Sequence, residues 1–208
     1  MARQTRQRIL DASLSMFNAQ GEPNVTTNHI ADELEISPGN LYYHFRNKDD
    51  IIEQLFAVYE QRMDAALVAP EDRLPGLEDV WLQLHQVFEC IWDYRFLYRD
   101  LVDILSRNRR LRMRFARILR RADEQAHTAM RGLVQAGVMR ASAEELDAAA
   151  TNVLVIATFW MNYAAARGDK DEHASIHAGI LQVMMLLAPF LRDAERVHLH
   201  TLTRAYVS

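Results

Sequence analysis

Residues that cross-link or interrupt a chain are scarce in this sequence of 208 residues, which has one cysteine, seven glycines and five prolines. Because Cys90 is the only cysteine, an intrachain disulfide is excluded, which is consistent with the cytoplasm. Alternating β-branched runs are nearly absent, while half of the residues are hydrophobic. The composition therefore predicts an all-α fold with a well-developed core.

Segments that direct a protein to a membrane are also lacking. The longest apolar run, Val153 to Trp160, and the alanine-rich stretch after it include Thr158 and Asn162, so this region falls short of a membrane span. The first residues, Met-Ala-Arg-Gln-Thr-Arg, are not followed by a hydrophobic secretory core. We therefore expect a cytoplasmic protein with no membrane partner.

Motifs of the common enzyme classes are absent as well. The sequence has no phosphate-binding glycine loop, no GxSxG, no HExxH and no readable pair of spaced carboxylates. The eight histidines are dispersed, and no cysteine supports a metal site at His198-Leu199-His200. We expect no catalytic residues, no metal and no cofactor, although an all-helical enzyme that uses an aromatic cavity stays an alternative.

Two short helices and a tight turn can be read between Val25 and Asp50. The first helix is predicted to begin after Thr26 or Thr27, because threonine is a good N-cap and an apolar face follows at helical spacing. Ser37 followed by Pro38 is a strong start signal for the second helix. This pattern predicts a helix-turn-helix, whose second helix can enter a DNA major groove.

The second helix has two distinct faces. Leu41 and Phe45, four residues apart, are expected to point inward. The opposite face carries polar and aromatic groups, with Tyr42 at its edge: Gly39, Asn40, Tyr43 and His44. The alternative is a helical hairpin that has no DNA-binding role and happens to carry exposed tyrosines, but it does not explain why these groups are exposed together.

The segment from residue 3 to about residue 56 resembles the N-terminal DNA-binding domain of TetR-family transcriptional repressors. It contains the pattern Thr-Thr, Ile-Ala, Ile-Ser, Leu-Tyr-x-x-Phe and a following lysine. The resemblance implies an N-terminal three-helix DNA-binding module, at 1–50, and a larger C-terminal helical domain for ligand binding and dimerisation, at 51–208. A connecting helix is expected at about 48–67.

The resemblance also implies roles for individual residues. Thr27, Tyr42 and Lys48 would contact phosphates, and Asn28, Asn40, Tyr43 and His44 would meet base edges. Gly39 leaves room for a close approach of the backbone to the groove. The full set of predicted DNA-binding residues is Thr27, Asn28, Ser37, Pro38, Gly39, Asn40, Tyr42, Tyr43, His44 and Lys48.

The charge of this module is unusual for its predicted partner. Residues 1–50 hold five cations and seven acids, a net charge of −2, and a DNA-binding module is usually basic. The cations lie at both ends of the module, where phosphates would be. We therefore expect modest non-specific affinity and a dependence on dimerisation.

Two long helices near the C-terminus, Ala143–Arg167 and Glu172 to about Arg196, are apolar almost all round. Such helices must be covered on more than one side. TetR-like proteins pair such helices across a two-fold axis, which implies a homodimer; a monomer with this hairpin buried centrally is the alternative. We expect small residues, Gly179 among them, to face the partner, and Pro189 to bend the last helix.

Large aromatic side chains are dense in the predicted second domain. Most of them are expected in the core, but such a domain can also leave a pocket for an apolar ligand. By resemblance to the effector cavity of TetR-like repressors, we expect Phe88, Trp92, Phe115 and Trp160 to line it. The expected effector is a small apolar or amphiphilic molecule.

An arginine-rich segment runs from Arg107 to Arg121 and holds eight arginines. In helical projection seven of them fall on one arc of about 160°. This face is either solvated, or neutralises acids of the DNA-binding module, or binds an anionic partner.

The sequence as a whole predicts a ligand-responsive DNA-binding regulator. We expect a repressor that binds a near-palindromic double-stranded operator as a dimer and is released by its effector. An architectural or constitutive DNA-binding protein without an effector shares the same first domain and is the alternative.

Overall fold

The computed structural model describes residues 2–68, 73–169 and 171–203. Within these ranges the chain forms eleven α-helices and two short 3₁₀ helices, with no strand. The α-helices are α1 (Ala2–Gln20), α2 (Thr27–Glu33), α3 (Pro38–His44), α4 (Lys48–Ala66), α5 (Leu77–Asp93), α6 (Arg95–Arg99), α7 (Leu101–Arg107), α8 (Arg109–Gln135), α9 (Ala143–Arg167), α10 (Glu172–Leu187) and α11 (Asp193–Thr203). The predicted all-α fold is confirmed.

The chain divides into two compact units. The first combines residues 1–62 with residues 93–114, and the second combines residues 63–92 with residues 115–208. Helices α4 and α8 each contribute residues to both units. The first unit therefore contains the predicted helix-turn-helix together with α6, α7 and the beginning of α8.

Capping side chains fix the start of both helices in the helix-turn-helix. Thr26 caps α2, since its hydroxyl accepts a hydrogen bond from the backbone N–H of His29 at 3.2 Å. Ser37 caps α3 in the same way through the N–H of Asn40, also at 3.2 Å, with Pro38 in the first helical position. These bonds satisfy amides that a helix N-terminus leaves without intrahelical partners. The predicted start of α3 is confirmed.

The turn between α2 and α3 contains the only non-glycine residue with a positive φ in the part of the chain that the structure describes. Glu35 has φ 54°, and the N–H of Ile36 returns to the carbonyl of Ala31 at 3.0 Å. A side chain in this left-handed region is unfavourable. The bond from Ile36 therefore helps to hold a sharp turn that sets the angle between the two helices.

Helix α3 is attached to the first unit by its apolar face. Leu41 and Phe45 are almost completely buried, as are Ile9, Phe17 and Ile30 on α1 and α2. The predicted inward positions of Leu41 and Phe45 are therefore confirmed. Burial of this face fixes which side of α3 points to solvent.

In the second unit, Gly179 lies inside the unit's own hydrophobic cluster. A Cβ atom at this position would come within 2.5 Å of Phe88 and 2.7 Å of Trp160. The prediction that Gly179 faces a partner was therefore wrong. The absence of a side chain at this position lets two large aromatic rings pack against α10.

Helix α10 stops before Pro189 instead of bending around it. It ends at Leu187 and is followed by a short 3₁₀ helix at Ala188–Phe190 and then by α11. Proline cannot donate the backbone hydrogen bond that a continuing helix needs. The expectation of one bent helix from Glu172 to about Arg196 was therefore wrong.

Helix α9 has the predicted limits, Ala143–Arg167, with Ser142 as its N-cap. Ser142 and Glu145 form a reciprocal capping box, with bonds of 3.2 and 2.7 Å. By length and composition alone α9 could cross a membrane, and it is the one helix among the described residues that meets this test. Core helices of other proteins meet it too, so this is weak support for a membrane segment.

Candidate nucleic-acid interface and effector site

The solvent-facing side of the helix-turn-helix carries most of the predicted DNA-binding residues. Tyr43 is 80% exposed and Tyr42 is 49% exposed, which is unusual for large aromatic side chains in a folded domain. Five further predicted residues are also exposed, while Thr27 and His44 are partly buried: the exposed set is Asn28, Ser37, Pro38, Gly39 and Asn40. The fold therefore brings these residues to one accessible surface.

Two aromatic contacts hold this surface in shape. The rings of Tyr43 and His44 meet edge to face, with centroids 5.1 Å apart. On the inner side, the guanidinium of Arg6 lies 4.9 Å from the centroid of the Phe45 ring, in a cation–π arrangement. The first contact joins two of the predicted DNA-binding residues, and the second packs Arg6 against the buried side of this helix.

Lys48, the third residue with a predicted phosphate contact, points inward. Its ammonium donates hydrogen bonds to the carbonyl oxygens of Glu22 and Val25, each at 3.0 Å. It also lies 2.8 Å from the carboxylate oxygen Oε1 of Glu22. Oε1 has no partner in good hydrogen-bond geometry among the described residues, so this third contact is an ion pair. A phosphate contact by Lys48 stays a prediction.

Glu22 lies at the centre of a charged cluster that the sequence did not indicate. Its other carboxylate oxygen accepts a hydrogen bond from Arg107 at 2.5 Å, and its backbone N–H donates to Asp100 at 3.1 Å. Burial raises the pKa of the Asp100 carboxyl; the charge of Glu22 acts in the same direction, and the hydrogen bond from the Glu22 N–H opposes it. Helices α6 and α7 thus contact the connection between α1 and α2.

The arginine-rich face of α8 pairs with acids of α4. Arg110 lies 3.2 Å from Glu53 and Arg114 lies 2.6 Å from Glu60 in the first unit. In the second unit, Arg121 pairs with Asp64. These three acids lie beyond residue 50, whereas Arg107 of the same segment pairs with Glu22. Neutralisation of acids of the DNA-binding module, one of the three alternatives, therefore accounts for Arg107.

Three of the four predicted effector residues belong to one packed cluster. Phe88 and Trp160 are buried in it, and Trp92 packs against it. The indole N–H of Trp160 donates to the carbonyl of Ser175 at 2.6 Å, which fixes the ring. Phe115 is buried as well. These residues are part of the core, and a lining role for them stays a prediction.

An open cleft of about 220 Å³ lies elsewhere in the second unit. Its walls are mostly apolar, and the amide nitrogen of Gln83 is buried without a hydrogen-bond partner among the described residues. The lining residues are Val68, Pro75, Asp79, Val80, Leu82, Gln83, Gln86 and Ala129. None of the four predicted effector residues is among them, and no sequence motif indicated this cleft.

Comparison with protein families agrees with this architecture. Residues 9–55 match the model described as "Bacterial regulatory proteins, tetR family", and residues 58–199 match one described as "Bacterial transcriptional repressor". The second match alone covers more than half of the chain. The chain belongs to the TetR family of bacterial transcriptional regulators.

Similarity to solved structures extends over nearly the whole chain. A TetR-family transcriptional regulator from Marinobacter aquaeolei is 39% identical, with a TM-score of 0.89, over 97% of this chain and 98% of the other. The complex of SmeT with triclosan is 21% identical, with a TM-score of 0.59, over 92% and 94% of the two chains. The second similarity shows the fold alone.

Similarity to curated relatives is confined to part of each sequence. The HTH-type transcriptional regulator TtgW of Pseudomonas putida is 41% identical over 56 residues, which are 27% of this chain and 42% of TtgW. The chain thus aligns with less than half of the length of this relative. The predicted TetR-family identity, with a DNA-binding helix-turn-helix and a helical C-terminal domain, is confirmed.

Proposed function

We propose that this DNA-binding regulator is a repressor that recognises a near-palindromic operator through α3. The observation that carries the proposal is the exposed side of α3, where Asn40, Tyr42 and Tyr43 face solvent while Leu41 and Phe45 fix the opposite side. Asparagine can pair with adenine, and the tyrosine ring can contact a thymine methyl. The family match at residues 9–55 supports a DNA-binding domain in this part of the chain.

Selection of DNA from a random library tests this proposal. We expect the chain to enrich one sequence with two half-sites about one helical turn, or a multiple of it, apart. Asn40→Ala and Tyr43→Ala should each change the preference at one position by about 1–3 kcal/mol. Unchanged affinity and preference in both variants would contradict the assignment of α3 as the reading helix.

We also propose that the protein acts as a homodimer through α9 and α10. Val155, Phe159 and Tyr163, spaced by four residues on α9, are exposed by 46–55%, and Met185 on α10 is exposed by 40%. An apolar stripe of this kind on a soluble surface indicates a protein interface. Dimerisation would pair the two recognition helices with the two half-sites of the operator.

Control by a small apolar or amphiphilic effector is the third part of the proposal. The second unit offers the aromatic cluster around Trp160 and the open cleft at Gln83 as candidate sites. The structural neighbour SmeT has been solved in complex with triclosan, which supports a small-molecule effector for this chain. Cytoplasmic localisation follows from an operator on bacterial DNA. A constitutive DNA-binding protein without an effector is the alternative.

A further inference from the structure

Glu22 is a charged side chain with no exposure to solvent. Its side chain has 0% exposure, and its two oxygens lie 2.8 Å from the ammonium of Lys48 and 2.5 Å from the guanidinium of Arg107. A buried charge is tolerated only when it is paired and hydrogen-bonded. Glu22 therefore requires both cations, which come from the start of α4 and the end of α7.

The ammonium of Lys48 is surrounded by oxygens of the protein itself. Two carbonyls, of Glu22 and Val25, accept hydrogen bonds from it at 3.0 Å, and the Glu22 carboxylate supplies the third contact. An ammonium has three N–H donors. Two of these donors are committed to the carbonyls, and a phosphate would compete with the buried Glu22 carboxylate, 2.8 Å away, for the charge of Lys48.

Arg107 and Asp100 hold the same short connection from the other side. Arg107 binds the Glu22 carboxylate, and the Asp100 carboxylate accepts from the Glu22 N–H at 3.1 Å. Asp103, in the preceding turn of α7, lies 3.6 Å from Arg107. The 3₁₀ connection between α1 and α2, at Glu22–Asn24, is thus fixed to α4 and to α7 at one point.

We propose that Glu22, Lys48 and Arg107 are positioning residues for operator binding, and that Lys48 neutralises no phosphate. This proposal rests on the proposed operator recognition by α3. The cluster fixes the connection that precedes α2 and the first residue of α4, which follows α3, so it determines the direction in which the recognition surface points. Residues 1–50 then contribute four cations, not five, toward DNA phosphates.

The dependence of operator binding on salt distinguishes positioning from phosphate contact. Each phosphate contact by a cation releases counterions and adds about 0.9 to the slope of log K against log salt concentration. In Lys48→Met we expect operator affinity to fall by roughly 5- to 150-fold, the range for one disturbed base contact, with an unchanged slope. Affinity should be measured where circular dichroism shows the variant to be fully folded.

The matched control is Arg46→Met, which removes an exposed cation two residues earlier. If Arg46 contacts a phosphate, this variant should lower both the operator affinity and the slope; if it does not, neither should change. Both results differ from those expected for Lys48→Met, which are a lower affinity and an unchanged slope. A slope that falls by about 0.9 in Lys48→Met, or an unchanged operator affinity, would overturn the proposal.

A double-mutant cycle on folding tests the cluster without DNA. We expect Glu22→Gln and Lys48→Met each to lower the melting temperature, and the double variant to be more stable than the sum of the two losses predicts. In the Glu22→Gln background Lys48 has no carboxylate left to compensate, while Arg107 keeps its contact with Asp103. The double variant should also lose less operator affinity than the two single losses together predict. Additive losses would overturn the proposal.

The DNA-binding experiment and the folding cycle distinguish an error in the role of the cluster from an error in the proposed operator recognition. A chain that selects no DNA sequence defeats operator recognition, and the folding cycle then shows whether the cluster itself is coupled. Arg107→Met should behave like Lys48→Met in both experiments. Arg109→Met, which removes an exposed cation two residues away, should leave the melting temperature unchanged.

Discussion

The hydroxyl groups of Thr27 and Tyr42 lie 2.9 Å apart and join the first residue of α2 to the middle of α3. Either hydroxyl can donate in this bond, and the one that accepts keeps its own O–H for donation to a phosphate. The bond therefore holds the phenol of Tyr42 at the start of α2, although half of its side chain is exposed. Two residues that the sequence predicted as separate phosphate contacts form one unit.

The hydrogen bond between Thr27 and Tyr42 leads to the first prediction, which concerns DNA binding. Tyr42→Phe and Thr27→Val each remove one hydroxyl and keep the shape of the side chain. We expect each to weaken binding to all DNA sequences by about 1 kcal/mol, without a change in sequence preference, because phosphate contacts carry no base information. Fluorescence anisotropy with the selected operator and a scrambled duplex measures both quantities.

The double variant supplies the control for this pair. If the two hydroxyls act as one unit, the combined loss should be smaller than the sum of the single losses. A change in sequence preference in either variant would contradict the assignment to phosphate contacts.

The parts of the fold that could be predicted from the sequence are those with local signals. Ser37-Pro38 and Ser142 with Glu145 are start signals contained within four residues, and the structure has helices beginning there. The inward side of α3 followed in the same way from the spacing of Leu41 and Phe45. In each of these cases the partners are helical neighbours, so their spacing in sequence fixes their contact.

Contacts between distant parts of the chain could not be predicted in this way. Arg107 and Glu22 are 85 residues apart, and the inward direction of Lys48 depends on carbonyls 23 and 26 residues earlier. Gly179 was assigned to a partner surface because small residues permit close approach of helices from either side. Only the fold shows that Phe88 and Trp160 occupy that side.

Dimerisation gives the second prediction. Phe159→Glu places a carboxylate in the exposed apolar stripe of α9, where a partner would have to bury it without a counter-charge. We expect sedimentation to show a dimer for the unmodified protein at micromolar concentration and a folded monomer for this variant. A monomer for the unmodified protein would remove the prediction.

Gly179 supplies a contrasting variant in the neighbouring helix. Gly179→Ala forces a methyl group against Phe88 and Trp160, so we expect a loss of stability of about 1–3 kcal/mol from overpacking. Gly39→Ala, where the nearest atom would be 3.9 Å away, should be neutral or stabilising in the same urea titration. Equal effects on stability in the two variants would contradict the packing found at Gly179.

Effector control gives the third prediction, and its physical basis is a population shift. A ligand can release DNA only if it binds better to the conformation with mis-spaced recognition helices. A coupling of about 1–3 kcal/mol, or about 5–150-fold in operator affinity, would be typical. Trp160 is a suitable reporter, because displacement of its indole from Ser175 should change its emission.

The measurement compares two titrations of the same compound. A true effector should change tryptophan fluorescence and weaken operator binding at matching concentrations. Gln83→Leu should weaken only those ligands that use the polar group of the open cleft. A compound library that shifts neither signal would favour the constitutive DNA-binding protein.

The ion pair between Arg114 and Glu60 gives the fourth prediction. Both nitrogens Nε and Nη2 of Arg114 donate to one oxygen of Glu60, at 3.1 and 2.6 Å, and the guanidinium lies 4.8 Å from the centroid of Phe56. Both side chains are mostly buried. We expect Arg114→Met to lower the free energy of unfolding by about 1–3 kcal/mol, measured by urea denaturation.

Arg109→Met is the matched control for Arg114→Met. Arg109 is exposed on the same helix, and its replacement should change stability by less than about 0.5 kcal/mol. If the two variants lose equal amounts of stability, the pair with Glu60 contributes nothing specific.

His127 gives the last prediction, because both of its ring nitrogens face acceptors. Nδ1 lies 2.9 Å from the carbonyl oxygen of Asp123, and Nε2 lies 3.0 Å from a carboxylate oxygen of Asp147 on α9. A neutral imidazole has a single N–H, so only the protonated ring can donate to both. The hydrogen bond to the Asp123 carbonyl and the nearby carboxylates accordingly raise the pKa of His127.

The direction of the pH dependence follows from this raised pKa. The folded protein holds the proton more tightly than the unfolded chain, so the stabilisation is fully present below the unfolded pKa of about 6.5. It is lost as the pH rises from there through the raised pKa of the folded state.

The free energy of unfolding should therefore fall across this interval more in the unmodified protein than in His127→Gln, because groups shared by both proteins cancel in the difference. Urea titrations at pH values on both sides of the interval measure this difference, and Asp147→Asn should reduce it. Parallel pH profiles for the unmodified protein and His127→Gln would show that the bonds of His127 to Asp123 and Asp147 do not contribute to stability.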